Sequence, residues 1–226
     1  MGIVFGIETS GETLSLALSE NDTIIRSLDL NLSHSHASQI WILSEALLTS
    51  AGLQSKDVDL LAIGKGPGSY TGIRIGTSFA KGWAFGGNIP LTSVGTLENL
   101  HSQATLQYAD VELYCALDAR RNEIFRAFYS SDGLSDKEAA AALMEEENFL
   151  QEKLSGPLVL VGTGGPKLFE FFGSPEAWRL DTKIKANAET CCRLGWKKFT
   201  RGQTEEASSF EPDYLKPVYI TRKSVG

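Results

Sequence analysis

The sequence predicts an α/β protein of two halves, each a mixed sheet flanked by helices. Three observations carry this. Residues 3–104 read in the order β-β-β-α-β-α-β-α, with short turns between the first strands and helical patterns between the later ones. A second strand–hairpin–strand opening begins near Asp110, as if the first arrangement starts again. The 226 residues are enough to give each half its own core. The expected division is residues 1–107 and 108–226.

Each element follows from its residues. "IVFGIE", 3–8, is an apolar run suited to a buried strand, broken by the polar turn "TSGE". "TLSLALS", 13–19, alternates so that Leu14, Leu16 and Leu18 share one face. "IIRSLDL" follows "ENDT" as a third strand, and such short turns imply an antiparallel meander. Polar start signals in "LSHSHASQ" predict a helix from His36 to Ser50, stopped near Gly52. "VDLLAIG", 58–64, has the continuous apolar centre of a strand buried on both faces. A glycine-rich loop, a helix from Thr71 to about Phe85, the short strand "PLTSV" and a helical "GTLENLHSQA" complete the first half. In the second half, "VELYCALDA" and "EIFRAFYS" flank "RRN" as a hairpin, and "PLVLVGTGG" is a strand with a helix after it. Residues 136–153, rich in alanine and glutamate, read as a solvated helix or a mobile excursion. A helix over 186–200 precedes "FEPDYLKPVYITR", whose prolines predict an extended tail.

Composition limits the function. Hydrophobic residues at 42% and charged residues at 22% are the balance of an ordinary soluble globular protein. A net charge of -7 argues against a broad basic face, so any nucleic-acid role would be indirect or supplied by a basic partner. The opening "MGIVFGIETSGE" has no basic stretch and meets an acid at Glu8, so no signal peptide is expected. No apolar run approaches the ~18 residues of a membrane span, so no membrane association is expected. Cys115, Cys191 and Cys192 have neither zinc spacing nor a disulfide framework, which fits a reducing compartment and a cytoplasmic location.

The stretch "GKGPGSYTGIRIG", 64–76, carries the first functional question. Gly66, Gly68 and Gly72 remove side chains where backbone amides would approach an anion, and Ser69 and Thr71 could donate hydroxyls. Either hydroxyl residue as helix N-cap accounts for both types equally well, and glycine is first of all turn chemistry. The spacing fits neither G-x-x-x-x-G-K-[ST] nor G-x-G-x-x-G, and Lys65 precedes the glycines. A structural turn is favoured over a phosphate cradle.

The two helices on either side of this strand carry the second question. Gly72, Gly76, Ala80 and Ala84 recur at every fourth residue, a narrow stripe that lets another backbone approach closely. Ile75, Phe79 and Trp83 on the other side are expected to serve the home core. In the preceding helix, "IWIL", 40–43, is apolar around more than a turn and is followed by Ala46, Leu47 and Leu48. A helix apolar nearly all round is buried on both sides, so this pair is expected to form a subunit interface.

Titratable residues add little. His34, His36 and His101 make no H-E-x-x-H or H-x-x-x-H pair, so no metal site is expected. No G-x-S-x-G elbow occurs. Among Glu8, Glu12, Asp118 and Glu123, Glu8 and Asp118 end predicted strands, where a site could be built. Arg120 and Arg121 stand beside Asp118, and a simple ion pair is the expected outcome.

"GIETSGETLSLAL", "GKGPGSYTGIRIG" and "ALDARRNEIFRAFY", in this order and with these gaps, resemble the TsaB (YeaZ) family of tRNA threonylcarbamoyladenosine synthesis, and the tail "EPDYLKPVY" is similar too. The resemblance is weakest between about 130 and 157. It implies the actin–hexokinase–Hsp70 (ASKHA, ribonuclease H-like) fold in both halves, with Glu8-Thr9-Ser10 and Asp118-Ala119-Arg120 where working members bracket nucleotide phosphates. The implied nucleotide site, Glu8, Thr9, Ser10, Gly66, Gly68, Ser69 and Asp118, is degenerate, with weak ATP or ADP binding at most and no other cofactor. The sister protein TsaD shares the first turn, but its H-M-E-G-H iron site would fall on "TLENL", putting Thr96 and Leu100 where histidines are needed. That argues against a catalyst, and against the metallopeptidase implied by older glycoprotease descriptions; no catalytic residue is expected.

The resemblance further implies that the helix pair packs against the matching pair of TsaD, or against itself in a homodimer. The interface residues expected are Ile40, Trp41, Leu43 and Leu47 on the first helix and Gly72, Ile73, Gly76 and Ala80 on the second. A TsaE-like ATPase would join, and tRNA would be met through the complex. The alternative is an ATP-dependent phosphotransferase or ATPase of the same superfamily.

Overall fold

Two five-stranded sheets with one shared topology organise the chain. The computed structural model describes residues 2–31, 36–130, 140–144 and 157–215. The first half contains β1 (Ile3–Glu8), β2 (Thr13–Glu20), β3 (Thr23–Asn31), α1 (His36–Ser50), β4 (Leu60–Gly66), α2 (Tyr70–Gly87), β5 (Leu91–Gly95) and α3 (Thr96–Ala104). The second contains β6 (Glu112–Asp118), β7 (Glu123–Tyr129), β8 (Ala140–Leu143), β9 (Leu158–Val161), α4 (Gly165–Phe171), β10 (Trp178–Asp181) and α5 (Ala188–Thr200). The strand orders are β3-β2-β1-β4-β5 and β10-β9-β6-β7-β8. In each sheet the first three strands pair antiparallel and the last two add parallel. The second sheet therefore repeats the first, strand for strand.

Both faces of the first sheet are buried, and the pleat sorts its residues. Phe5, Ile7, Leu16, Leu61 and Ile63 pack under α1 and α2, while Val4, Ala17, Leu60 and Ala62 face α5. Leu14, Leu16 and Leu18 do share the first of these faces, as their alternation predicts. Close approach on the α5 side depends on missing side chains. A Cβ at Gly6 would lie 2.4 Å from the Ala188 carbonyl oxygen, and one at Gly195 would lie 2.5 Å from Ala62 Cβ.

The covering helices are exchanged between the halves. α3, from the first half, supplies Leu97, Leu100 and Ala104 to the core over Leu113, Cys115 and Val161 of the second sheet. α5, from the second half, seals the first sheet with Ala188, Cys191 and Cys192. Where the two helices meet, Asn99 and Asn187 exchange hydrogen bonds at 2.9 and 3.2 Å, and Asn187 also caps α5 at the Thr190 N–H. The boundary at 107/108 separates the strands of the two sheets but not the helices that cover them.

Three elements differ from expectation. Residues 140–143 form strand β8 against β7, where the alanine- and glutamate-rich composition predicted a solvated helix or a mobile excursion; alanine fits helix or strand, and pairing with the open edge of β7 decides. Met144 follows as a buried residue, and 136–139 and 145–153 lie outside the described residues. β10, too short to show a period, was not foreseen. Residues 210–215 of the predicted tail are neither helix nor strand, and 216–222 lie outside the described residues; the described segment after α5 is strapped to the first half. The Glu205 N–H donates to the Leu91 carbonyl at 2.7 Å, the Asp213 N–H to that of Lys65 at 2.9 Å, and Phe210 enters the first core.

Candidate functional site

β1 delivers Glu8 to the interior, where the residue is 1% exposed. Its Oε1 accepts the Ser10 N–H at 2.6 Å, while Oε2 has no hydrogen-bond partner among the described residues. Glycine at 64 makes the room, since a Cβ there would lie 2.1 Å from Oε2. Burial pushes the carboxyl pKa up, against the hydrogen bonds it accepts from Ser10 and Thr9. Thr9 is fully buried beside it, its Oγ1 also without a partner among the described residues.

The glycine loop closes onto this first turn. The Ser69 N–H donates to the Ser10 carbonyl at 2.7 Å, and Ser69 Oγ caps α2 by accepting the Gly72 N–H at 3.2 Å. A Cβ at Gly68 would lie 2.4 Å from Ser10 O, and one at Gly72 would lie 2.1 Å from Thr9 O. Gly66 has φ +103, a backbone state that side chains disfavour. The glycines thus make space for the protein's own backbone, and the amides of Ser10, Ser69 and Gly72 are already engaged.

At the second acidic turn, Asp118 ends β6. Its partner is not the neighbouring arginine expected from sequence. Lys167 of α4 pairs with Oδ1, and the Arg120 backbone N–H donates to the same oxygen at 2.8 Å. Partial burial would raise this carboxyl, but those two hydrogen bonds, with the charges of Lys167 and Arg120, outweigh it and hold the pKa below the ordinary value. Lys167 also donates to the Arg121 carbonyl at 2.8 Å, so it pins the whole turn. Arg120 and Arg121 both sit at positive φ, +68 and +51, which closes the predicted hairpin.

The remaining candidates are quickly placed. Thr96 and Leu100 are buried, Leu100 within the core of the second sheet. Glu98 between them pairs with Lys198 at 2.8 Å. Among the described residues, no three His, Cys, Asp or Glu side chains gather as a metal-binding group. His101 stacks on Tyr129 with ring centroids 3.8 Å apart, and burial lowers its pKa. His36 is buried at the start of α1, with Nε2 3.3 Å from the Glu12 carbonyl, and His34 lies outside the described residues. All three cysteines are free and buried, with thiol pKa values pushed up by burial.

The small-residue side of α2 is turned the other way from the sequence expectation, while Ile75, Phe79 and Trp83 pack against the first core as expected and Trp41 is exposed. Gly72, Ile73, Gly76, Ala80 and Ala84 are buried in the home core, with Gly76 against Thr9 and Ile63. Ile40 and Leu47 are buried there too, and Leu43 is half-buried. What α1 and α2 leave outside is Trp41 (53% exposed), Ile42 (57%) and Phe85 (78%), with half-buried Ile75, Phe79 and Trp83 beside them. Trp41, Phe79 and Trp83 form an edge-to-face ladder with centroids 6.0 and 5.6 Å apart. An open groove of about 650 Å³ runs along Ala37, Ile40, Trp41, Ile75 and Phe79 to Tyr70 and Arg74. Small residues bury as readily as large ones, so the period defines a stripe without saying which stripe faces in.

One cluster on this face went unnoticed in the sequence. Arg74 lies over the Tyr70 ring at 4.1 Å, and its Nε donates to the Tyr214 hydroxyl at 3.1 Å. The i, i+4 spacing of Tyr70 and Arg74 on a helix was a readable signal. Tyr214, 140 residues away, arrives only with the folded strap.

A family model described as TsaD: tRNA N6-adenosine threonylcarbamoyltransferase matches residues 31–168. Similarity to such a transferase from Thermodesulfovibrio yellowstonii, 30% identical, covers 45% of this chain and 35% of that protein. The tRNA threonylcarbamoyladenosine biosynthesis protein TsaB of Escherichia coli (strain K12) is 31% identical, over 99% of this chain and 98% of that protein. Among solved structures, YeaZ from Pseudomonas aeruginosa aligns at a TM-score of 0.82 with 26% identity, covering 95% of this chain and 100% of that one. Component A of the (R)-2-hydroxyglutaryl-CoA dehydratase of Acidaminococcus fermentans, at TM-score 0.52 and 9% identity over 88% of this chain and 100% of that one, shares the fold alone. The transferase match is partial while the TsaB match runs end to end, and the chain belongs to the TsaB (YeaZ) family, with the actin–hexokinase-like fold in both halves.

Proposed function

We propose that the chain serves tRNA threonylcarbamoyladenosine biosynthesis as a non-catalytic scaffold, holding a TsaD-type sister subunit on the exposed face of α1 and α2. One observation carries the reading: Trp41 stands half exposed over an apolar groove, laddered with Phe79 and Trp83, while Ile42 and Phe85 are exposed on the same two helices. Clustered exposed aromatics of this kind are the usual anchors of protein interfaces. The chemistry would belong to the sister subunit, a TsaE-type ATPase would join the assembly, and tRNA would be reached through the complex. This suits a chain of net charge -7.

The ATP-dependent phosphotransferase reading has less support. It needs first-turn and loop amides turned toward phosphates, whereas those of Ser10, Ser69 and Gly72 are spent within the protein. The test of the scaffold reading is size-exclusion chromatography of the full chain with its cognate TsaD-type subunit. Ile42→Glu should abolish co-elution while leaving the thermal melt unchanged. Undiminished co-elution would overturn the scaffold reading, and so would ATP turnover by the isolated chain.

A further inference from the structure

The exposed face of α1 and α2 has ends of opposite charge. At the N-terminal end of α2, Arg74 is fixed by the Tyr70 ring beneath it and the Tyr214 hydroxyl at Nε. Among the described residues its remaining N–H donors have no hydrogen-bond partner and it makes no ion pair, though it lines the apolar groove. At the other end, Glu45 lines a second hollow of about 330 Å³ with Trp41, Leu48 and Trp83. Glu45 is exposed and likewise has no ion-pair partner among the described residues. Trp41 lines both hollows and joins them into one track.

We propose that this track accepts an amphipathic helix of the sister subunit in one direction only, with an acidic side chain at Arg74 and a basic one at Glu45. The proposal rests on the docking reading above and adds the partner's chemistry and polarity. A guanidinium already held by a ring and a hydroxyl loses little freedom on pairing, and its fork matches a carboxylate bidentately. A carboxylate that lines one hollow with two tryptophans suits a lysine or arginine, which finds the countercharge and aromatic rings together there. From Tyr70 to Trp83 the track follows 13 helical steps, about 20 Å at 1.5 Å each, so three to four turns of the occupant fill it. An apolar floor and a net charge of -7 favour such a helix over a phosphate backbone.

The experiment is calorimetric titration of the full chain with the cognate TsaD-type subunit, at low salt and at ~1 M salt, where the screening length is about 3 Å. Arg74→Glu and Glu45→Arg should each weaken binding at least about tenfold at low salt, because reversal turns attraction into repulsion. The loss should shrink at high salt, whereas that of Trp41→Ala should persist. If both charge variants bind like the wild type while Trp41→Ala is weakened, the docking reading stands and the polarity falls. If Trp41→Ala also binds normally, the docking reading itself falls. Two further results would overturn the proposal. One is a charge effect confined to self-association in sedimentation, which would make the occupant a second copy of this chain. The other is an Arg74→Glu complex that assembles normally but loses tRNA, which would make Arg74 a phosphate contact. Both side chains are exposed, so unchanged melting curves serve as the folding control.

Discussion

Gly76→Ala and Gly82→Ala add the same methyl to the same helix, and their environments demand opposite effects. At Gly82 a Cβ meets nothing within 4 Å, and the position is exposed. Alanine there should stabilise by the ordinary helix preference, about 0.5–1 kcal/mol. At Gly76 a Cβ would lie 2.3 Å from Thr9 Oγ1 and 3.2 Å from Ile63 Cδ1. Thr9 is fully buried and β-branched, so it has little room to withdraw. Overpacking of this kind costs about 1–3 kcal/mol, and the helix preference offsets less than about 1 kcal/mol of it. The helix preference is common to both, so the two variants should differ by the overpacking cost itself, about 1–3 kcal/mol, with Gly76→Ala the less stable. For a chain of this size each kcal/mol moves the melting point by about 2–4 °C, which thermal denaturation followed by circular dichroism resolves. Should Gly76→Ala rise in step with Gly82→Ala, the stripe does not press on Thr9, and α2 is turned as its periodicity first suggested.

Glu8→Gln should flatten one limb of the pH–stability curve. The folded carboxyl holds its proton above the ordinary pKa, so its contribution is fullest below that value and is lost as pH rises toward the folded one. Urea midpoints for wild type and variant should separate in favour of the variant from acid toward neutral pH; parallel curves would refute a neutral buried Glu8. Lys167→Met acts in the reverse sense. Asp118 is held below its ordinary pKa, so its stability is present above that value and lost as pH falls through the folded one. The pair is partly exposed, so its share of the cost at neutral pH should be about 0.5–1 kcal/mol and should be lost in acid, leaving only the cost of the missing bonds to the Arg121 and Glu123 carbonyls, again read from urea midpoints. Finally, Ellman's reagent should label none of the three cysteines in the native protein and all three in denaturant. A fast native phase would mean that the seam of α5 with the first sheet, or that of α3 with the second, opens.

Much of the architecture could be read from local pattern because it is stored in local pattern. The meander, the hairpin around Arg120 and Arg121, the cap at Ser69 and the turn use of the glycines all depend on residues a few positions apart. Long-range pairing was out of reach. Lys167 finds Asp118 across 49 positions, and Tyr214 finds Arg74 across 140, with no periodic signal for either. The orientation of α2 escaped for a different reason. Its glycine side and its aromatic side are both apolar, and only the three-dimensional fit of Gly76 over Thr9 decides which goes inward. Glu8 was recognised as a strand-end acid, but its burial depends on Gly64 of a neighbouring parallel strand.

The exchange of α3 and α5 between the sheets bears on how the molecule is made. A nascent chain that has released residues 1–107 has all five strands of the first sheet, yet Val4, Ala17, Leu60, Ala62 and Val94 stay bare on one side until α5 leaves the ribosome. Cutting the backbone between the halves would leave each fragment holding the other's lid, so the two pieces should be sticky apart and should reassemble when mixed.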